Sequence, residues 1–447
     1  MKRSHLLLGI ILGSFLLISC SLAISNKEVW WDSAVYIGMG KYLFSQGDSG
    51  LFEPSRPPLL PLILGLGWYI GIDSMLFGTT IAILFSLGLI YLCYLLGKRL
   101  FSEDAGLLAS FFLACSQSFL LFSHRPLSEI PSAFFLLLGI LLLIKSRFFL
   151  AGTVFGLSIL MRFYQGISIA FIILSFFLFS KERREWKIAI PKLAAGILAI
   201  LSPYFLLAWQ YFGDPLYPLM LQSFLSAQSG MIYVQPWWFY IFNLLKENFL
   251  LIVLLALPFF WREKNINFLS FPALSLLLIY SMLSHKEMRL LLPFLPLLLI
   301  VLAYCVLRLL GRIKNRTLSI GAAFLLFSGV LGVSLLHIAP SWSDKHEESV
   351  QEKFFQQKLK SAQGSVFITN PKYALASDAR IAGLLYYPLV QGAPDIAFVN
   401  PCDLEGNSKE YESLTKQNLK DAVSSLSKTY SAMENGCEYS IYERITS

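Results

Sequence analysis

Met75-Leu-Phe-Gly-Thr-Thr-Ile-Ala-Ile-Leu-Phe-Ser-Leu-Gly-Leu-Ile-Tyr-Leu-Cys-Tyr-Leu-Leu-Gly97 runs for 23 residues without a charged side chain and is closed by Lys98-Arg99. A helix rises about 1.5 Å per residue, so this stretch covers the roughly 30 Å of hydrocarbon in a bilayer. Outward from it the pattern recurs. Apolar runs broken by charges and turn residues give about eleven spans, near 6–24, 75–97, 105–122, 130–144, 148–161, 166–180, 188–210, 248–261, 268–284, 290–309 and 317–338. Two of them, 148–161 and 166–180, are short for a crossing and read either as tilted helices or as a re-entrant hairpin with its tip at Arg162-Phe163-Tyr164-Gln165. The 447 residues are 56% hydrophobic and 14% charged, against about one quarter charged in soluble domains. That excludes a soluble enzyme, and 37 Phe, 20 Tyr and 9 Trp exclude a disordered chain. The fold class is an all-α polytopic membrane protein, followed by a small C-terminal α/β domain.

Lys and Arg set the orientation. The loops carrying Lys98, Arg99, Lys145, Arg147, Lys181, Arg262, Arg308 and their equivalents hold 17 basic residues, against 8 in the alternate loops. The first set is read as cytoplasmic, which puts the N-terminus inside and the C-terminal region outside. Residues 1–340 hold 25 basic and 14 acidic groups, and residues 341–447 hold 11 and 14, so the net +8 reflects topology rather than nucleic-acid binding. Met1-Lys2-Arg3 and Leu17-Ile18-Ser19-Cys20 look like a secretory signal with a lipoprotein-type cleavage site. Cleavage would leave an even number of spans and contradict the charge map, so an uncleaved first helix is the simpler reading.

Residues 1–340 form the membrane domain. At about 341 the composition turns polar, and 341–447 reads as an extracytoplasmic domain with a helix over Glu347–Lys360, strands at 364–370 and 396–400, and one or two helices over 408–433. Cys20, Cys93, Cys115 and Cys305 sit in apolar spans as small hydrophobes. Cys402 and Cys437 lie in the C-terminal domain, where a disulfide and two free thiols are both open.

Three outward loops carry the chemistry. In the first, Trp30-Trp31-Asp32-Ser-Ala-Val-Tyr36 places a carboxylate beside interfacial tryptophans, and the apolar spacing over 33–45 suggests a helix lying along the interface. Glu53-Pro54-Ser55-Arg56-Pro57-Pro58 follows, with a guanidinium suited to a phosphate. The alternative is that Asp32 caps the helix and Arg56 snorkels to headgroups. The second loop is His124-Arg125-Pro126-Leu127-Ser128-Glu129, and the third Ser284-His285-Lys286-Glu287-Met288-Arg289. Four ionisable groups within five residues beside hydrocarbon are costly unless they pair or bind a ligand.

These residues in this order resemble the GT-C-type membrane glycosyltransferases, the superfamily of protein O-mannosyltransferases, lipid A aminoarabinose transferases and lipid-linked-sugar mannosyltransferases. Trp31-Asp32-Ser-Ala-Val-Tyr36 looks like the first-loop acidic motif of that superfamily, and Arg56-Pro57-Pro58 like its basic residue with diproline. His285-Lys286-Glu287-Met288-Arg289 is similar to the His-Lys-Glu-x-Arg motif of the branch that uses dolichyl-phosphate mannose. Trp30-Trp31-Asp32 is also similar to the Trp-Trp-Asp motif of oligosaccharyltransferases, but there it lies in the soluble C-terminal domain and continues with Tyr-Gly, so it is read as coincidence. The first-loop acid often has an acidic neighbour in the superfamily; here the neighbours are Trp31 and Ser33, which leaves a divalent metal unsupported and no cofactor assigned.

The resemblance implies an integral membrane glycosyltransferase that moves a hexose, mannose-like or other, from a polyprenyl-phosphate-linked donor to a lipid, protein or polysaccharide acceptor on the outer face. Asp32 would be the general base, with inversion at the anomeric carbon. Arg56, Arg125, Lys286 and Arg289 would hold the donor phosphate, and Tyr36, Glu53, Glu129, His285 and Glu287 would position sugar or acceptor. The rivals are a transporter or flippase of lipid-linked sugars, which would show buried mid-span charges or broken helices, and a surface-polysaccharide polymerase.

Overall fold

The computed structural model describes residues 3–26, 28–179, 186–228, 233–260, 262–343, 349–362, 364–384, 394–404 and 409–444. The chain forms two compact units. The first comprises residues 1–26, 81–215 and 235–344, and the second residues 27–80, 216–234 and 345–447.

Among the described residues, the elements of the first unit are all helices. Among the described residues, five helices of the chain are long and apolar enough to cross a membrane: Ser4–Ser25, Ser74–Leu100, Trp186–Phe212, Lys264–Met282 and Ile320–Trp342. A sixth crossing arises if Phe239–Glu247 and Phe249–Phe260, bent by 111° at Asn248, count as one. Glu129–Ile144, Phe148–Met161, Gln165–Phe179 and Leu295–Leu310 are apolar but shorter; a 16-residue helix reaches only about 24 Å. Where described, the expected apolar runs are thus helical, but three depart from a single α-helix: 290–309 opens in the 3-10 turn Met288–Leu291 and is α-helical only from Leu295. The run 105–122 breaks into Glu103–Ala114 and Gln117–Phe122, because the Ser116 hydroxyl caps the second helix by accepting from the Phe119 amide. The run 248–261 becomes a 3-10 helix, because Asn248 is extended and its Oδ1 accepts from the Leu250 amide at 3.1 Å.

Packing in this unit relies on backbone approach as well as on side chains. A Cβ on Gly152 would lie 2.2 Å from the Leu193 carbonyl oxygen, and one on Gly196 2.2 Å from that of Phe149. The helices Phe148–Met161 and Trp186–Phe212 therefore meet main chain to main chain, as small residues permit in membranes. Arg162 ends the first of these helices in an extended conformation, and the next begins at Gln165.

The second unit is built around a five-stranded sheet. Its strands are β1 (Ser365–Ile368), β2 (Arg380–Leu384), β3 (Ile396–Val399), β4 (Ser427–Glu434) and β5 (Cys437–Glu443), in the order β2-β1-β3-β5-β4. β1 runs parallel to β2 and β3, and β5 antiparallel to β3 and β4. Of the one or two helices expected over 408–433, Lys409–Val423 is helical, 424–426 turn, and the strand β4 begins at Ser427. Asn435 and Gly436 both take positive φ (51° and 80°), the turn that joins β4 to β5. Cys402 and Cys437 form a disulfide. The helix expected over Glu347–Lys360 begins at Val350 behind a Ser349/Glu352 capping box, and its first residues, 347 and 348, lie outside the described set.

The first loop completes this unit. Val35 and Met39, from the helix Trp31–Phe44, share a core with Phe355, Val366, Ile368, Tyr373, Phe398 and Ile441. Gly50 extends the sheet beside β2: its amide donates to the Ala379 carbonyl at 3.1 Å and its carbonyl accepts from Ile381 at 2.9 Å. Only glycine fits there, since φ is +76° and a Cβ would meet the Gly38 oxygen at 2.2 Å. Residues 33–41 are buried in consequence, so the helix expected along an interface is enclosed by protein.

We predict that Gly152→Ala destabilises the detergent-solubilised protein by about 1–3 kcal/mol through overpacking, whereas Gly166→Ala, with open space around it, leaves the thermal transition in place. Melting followed by size-exclusion fluorescence reads the difference.

Candidate active site

In the second unit, Asp32 occupies the first turn of Trp31–Phe44, where the helix amides favour a carboxylate. Arg56 reaches it: Nη2 lies 2.7 Å from Asp32 Oδ1, while Nε lies 2.8 Å from Glu53 Oε1. Ser55 Oγ donates to that same Glu53 oxygen at 3.0 Å, and the guanidinium stands 5.5 Å from the centre of the Tyr36 ring. Burial works against the charge on Arg56. Asp32, Glu53 and Tyr36 more than reverse this, and its pKa stands well above the usual arginine value. Glu53 is nearly enclosed, with its side chain 6% exposed, but Asp32 keeps 17%. The result is a carboxylate paired with a guanidinium, held in orientation and partly open.

Lys41 pins the far end of the same helix. Its Nζ donates to the carbonyls of Leu375 (3.1 Å) and Ser377 (2.8 Å) and to Asp378 Oδ1 (3.0 Å), using all three donors. Trp68 Nε1 donates to that Asp378 oxygen at 3.0 Å. The first loop is thus fixed to the C-terminal segment by charge as well as by its core.

The first unit holds a second cluster. Glu129 opens the helix Glu129–Ile144 and is 3% exposed. Arg162 donates from Nη1 to Glu129 Oε1 at 2.9 Å and to Ser128 Oγ at 3.2 Å, and Arg289 Nη1 approaches the same carboxylate oxygen at 3.7 Å. Arg289 also grips Glu287 with two donors, Nε at 2.8 Å and Nη2 at 3.0 Å, and His285 Nε2 lies 2.8 Å from Glu287 Oε1. Burial would raise the Glu287 carboxyl, but His285 and Arg289 hold it below the usual carboxylate range. Two acceptors here have no protein donor among the described residues: Glu129 Oε2 and Gln165 Oε1 are both buried. Gln165 spends its Nε2 on Ser132 Oγ at 3.0 Å, which turns its oxygen the other way.

The structure therefore brings Asp32, Tyr36, Glu53 and Arg56 together in one unit, and Glu129, His285, Glu287 and Arg289 in the other. Lys286 stands apart. Glu287 is extended, and in an extended chain alternate side chains share a face. His285, Glu287 and Arg289 accordingly form one set, while Lys286 turns away to donate to the carbonyls of Leu283 and Gln235. Burial lowers its pKa. Arg125 is 8% exposed, with its guanidinium 5.6 Å from the Phe122 ring. Arg162 and Gln165 join the cluster without having been assigned to it from sequence; the signal was an Arg at the junction of two apolar runs. Among the described residues no three His, Cys, Asp or Glu side chains gather as a metal site.

The sequence profile of the Alg9-like mannosyltransferase family matches residues 10–374. Among curated proteins none matches. Among solved structures, ArnT from Cupriavidus metallidurans bound to undecaprenyl phosphate is similar over 99% of this chain and 98% of its own, with a TM-score of 0.65 and 11% identity. The oligosaccharyltransferase AglB from Archaeoglobus fulgidus, in complex with an inhibitory peptide and a dolichol-phosphate, covers 81% of this chain and 58% of its own, with a TM-score of 0.57 and 15% identity. These likenesses establish a shared fold.

His124, on the loop before Glu129, is 5% exposed, and burial followed by the charge of Arg125 pushes its pKa down to about 4. We predict a loss of stability as pH falls from about 6.5 to about 4, because the unfolded chain takes up a proton that the folded one refuses, reaching about 3 kcal/mol at the acid end. Thermal melts of His124→Gln across that range should lack this component.

Proposed function

The chain belongs to the Alg9-like mannosyltransferase family, a family of multi-pass membrane glycosyltransferases, and we propose that it moves a mannose-like hexose from a polyprenyl-phosphate-linked donor to an acceptor hydroxyl on the outer face of the membrane. The observation that carries this reading is the guanidinium of Arg56 shared between Asp32 and Glu53 at the start of an enclosed helix. The undecaprenyl phosphate bound to ArnT and the dolichol-phosphate bound to AglB support the donor class, and the excess of Lys and Arg in one set of loops supports the orientation.

In this mechanism Asp32 accepts the proton of the acceptor hydroxyl as its oxygen attacks the anomeric carbon. The bond from that carbon to the phosphate oxygen breaks with its electron pair, so polyprenyl phosphate departs and the configuration inverts. Arg56 holds Asp32 in orientation, Glu53 fixes Arg56, and Tyr36 flanks the pair. The leaving phosphate gains one negative charge, which guanidinium groups stabilise as it develops. Within the first unit, Arg289 and Arg162, positioned by Glu287, His285 and Glu129, are guanidinium groups suited to a phosphate. The buried acceptors Glu129 Oε2 and Gln165 Oε1 suit sugar hydroxyls, which would supply the donors they lack. Lys286 and Arg125 receive no phosphate role, since the first is committed to carbonyls and the second is packed on Phe122.

One feature favours the rival. A transporter of lipid-linked sugars would need a broken helix with a buried polar group, and the bend at Asn248 adjoins Glu247, whose carboxylate accepts from Ser116 Oγ at 3.1 Å and the Ser118 amide at 3.2 Å. Release of polyprenyl phosphate separates the two readings, because a transporter leaves the donor intact.

The test is release of polyprenyl phosphate by the lipid-reconstituted protein from a panel of polyprenyl-phosphate sugars with acceptor extract. We expect release by the wild type, and a loss of about 100-fold or more in Asp32→Asn, the scale of a missing general base. Arg162→Gln should lower kcat/KM for the donor, with partial recovery in Arg162→Lys. Undiminished release by a folded Asp32→Asn protein would remove Asp32 from the base role, and intact donor moved across the bilayer would establish the transporter.

A further inference from the structure

The helices Lys264–Met282 and Leu295–Leu310 have the His285–Arg289 cluster at one end and a cavity of about 400 Å³ at the other. A 19-residue helix spans about 28 Å, so the two features stand nearly one hydrocarbon thickness apart. The cavity is at the Lys98-Arg99 end of the spans: Asn265 Nδ2 donates to the Leu100 carbonyl at 2.6 Å, and the rings of Phe101 and Tyr304 are 4.4 Å apart. The charge distribution reads this end as cytoplasmic.

Arg262, Arg308 and Arg312 line the cavity, with Glu263 the only acid among its lining residues. Glu263 is already satisfied, since Arg308 Nη2 donates to its Oε1 at 3.0 Å and the Tyr304 hydroxyl donates to its Oε2. Among the described residues, Arg262 and Arg312 have no carboxylate partner, which contrasts with Lys98, paired to Glu103 at 2.6 Å. Arg312 is steadied by the Phe260 ring, 5.8 Å from its guanidinium, and Arg308 by the Tyr304 ring at 5.6 Å. The remaining wall is apolar: Phe259 and Leu307 line it, and Phe259 is 80% exposed, as is natural for a side chain bathed in acyl chains. Two uncompensated forked donors beside a hydrocarbon-facing wall match a phosphate joined to a lipid tail, and basic pockets at the cytoplasmic ends of helices hold anionic headgroups in this way.

We propose that this cavity is a binding site for the headgroup phosphate of an anionic membrane lipid, held by Arg262 and Arg312, with the acyl chains along Phe259 and Leu307. It lies apart from the proposed chemistry and uses none of its residues.

The test is native mass spectrometry of the full chain, taken from neutral phosphatidylcholine and titrated with phosphatidylglycerol. We expect the wild type to retain phosphatidylglycerol, the Arg262→Gln/Arg312→Gln protein to retain it at least tenfold more weakly, and Arg262→Gln alone to fall between. Lys314→Gln, basic but outside the lining, should match the wild type, and inorganic phosphate at equal concentration should not displace the lipid. Equal retention by the double variant would overturn the site. A loss as large in Lys314→Gln would reduce it to general surface charge, and displacement by inorganic phosphate would make it a free-anion pocket instead. Both arginines are exposed, so all variants should remain monodisperse.

Discussion

Arg56 lies between two carboxylates, Asp32 and Glu53, and this triad sets the terms for the surrounding structure. A guanidinium taken largely out of water must be compensated, and removing one partner of a buried, hydrogen-bonded charge costs about 3–5 kcal/mol. Glu53 is the enclosed member and Asp32 the more open one, so the buried pair fixes the cation and the cation in turn fixes the accessible carboxylate. The turn from Glu53 to Arg56 supports this, because Arg56 donates its amide to the Glu53 carbonyl at 3.1 Å. The orientation of Asp32 then depends on a loop whose own position has to be maintained.

That position is maintained by residues distant in sequence. Gly50 pairs with the backbone beside β2, Lys41 is bonded to residues 375, 377 and 378, and Val35 and Met39 pack against Phe355 and Ile368. The C-terminal segment therefore encloses the helix that bears Asp32, and a disturbance of the sheet reaches the carboxylate through contacts rather than at a distance. In the membrane unit the same rule of compensated charge operates with the signs exchanged: a buried carboxylate, Glu129, is met by Arg162 and approached by Arg289, and Glu287 and His285 secure Arg289.

How much of this was legible in the sequence follows from the range of each interaction. Apolar runs such as 75–97 state their structure locally, because a helix in hydrocarbon satisfies its own backbone, and the pairing of Cys402 with Cys437 was one of two open readings for the same domain. The breaks at Ser116 and Asn248 depend on a single side chain capturing a neighbouring amide, which hydropathy does not register. The β4–β5 hairpin carried a local signal in Asn435-Gly436 that the helical reading of 408–433 passed over. Asp32, Glu53 and Arg56 stood out in the sequence one by one, but that the turn folds both carboxylates against Arg56 was not visible there. Lys286 was grouped with its neighbours because four ionisable side chains stood in line; the alternation of an extended chain divides them. Arg162 was visible as an odd charge, and only the fold could bring it to Glu129, 33 residues earlier.

The central claim is a single displacement at the anomeric carbon, with Asp32 as base and polyprenyl phosphate as leaving group. It is tested most directly by the anomeric configuration of the glycoside formed from a donor of known configuration, read by NMR. The account predicts inversion, since one attack from the face opposite the phosphate leaves no other outcome. Retention would require either two successive displacements through a glycosyl-enzyme or attack from the face the phosphate leaves, and either would contradict it.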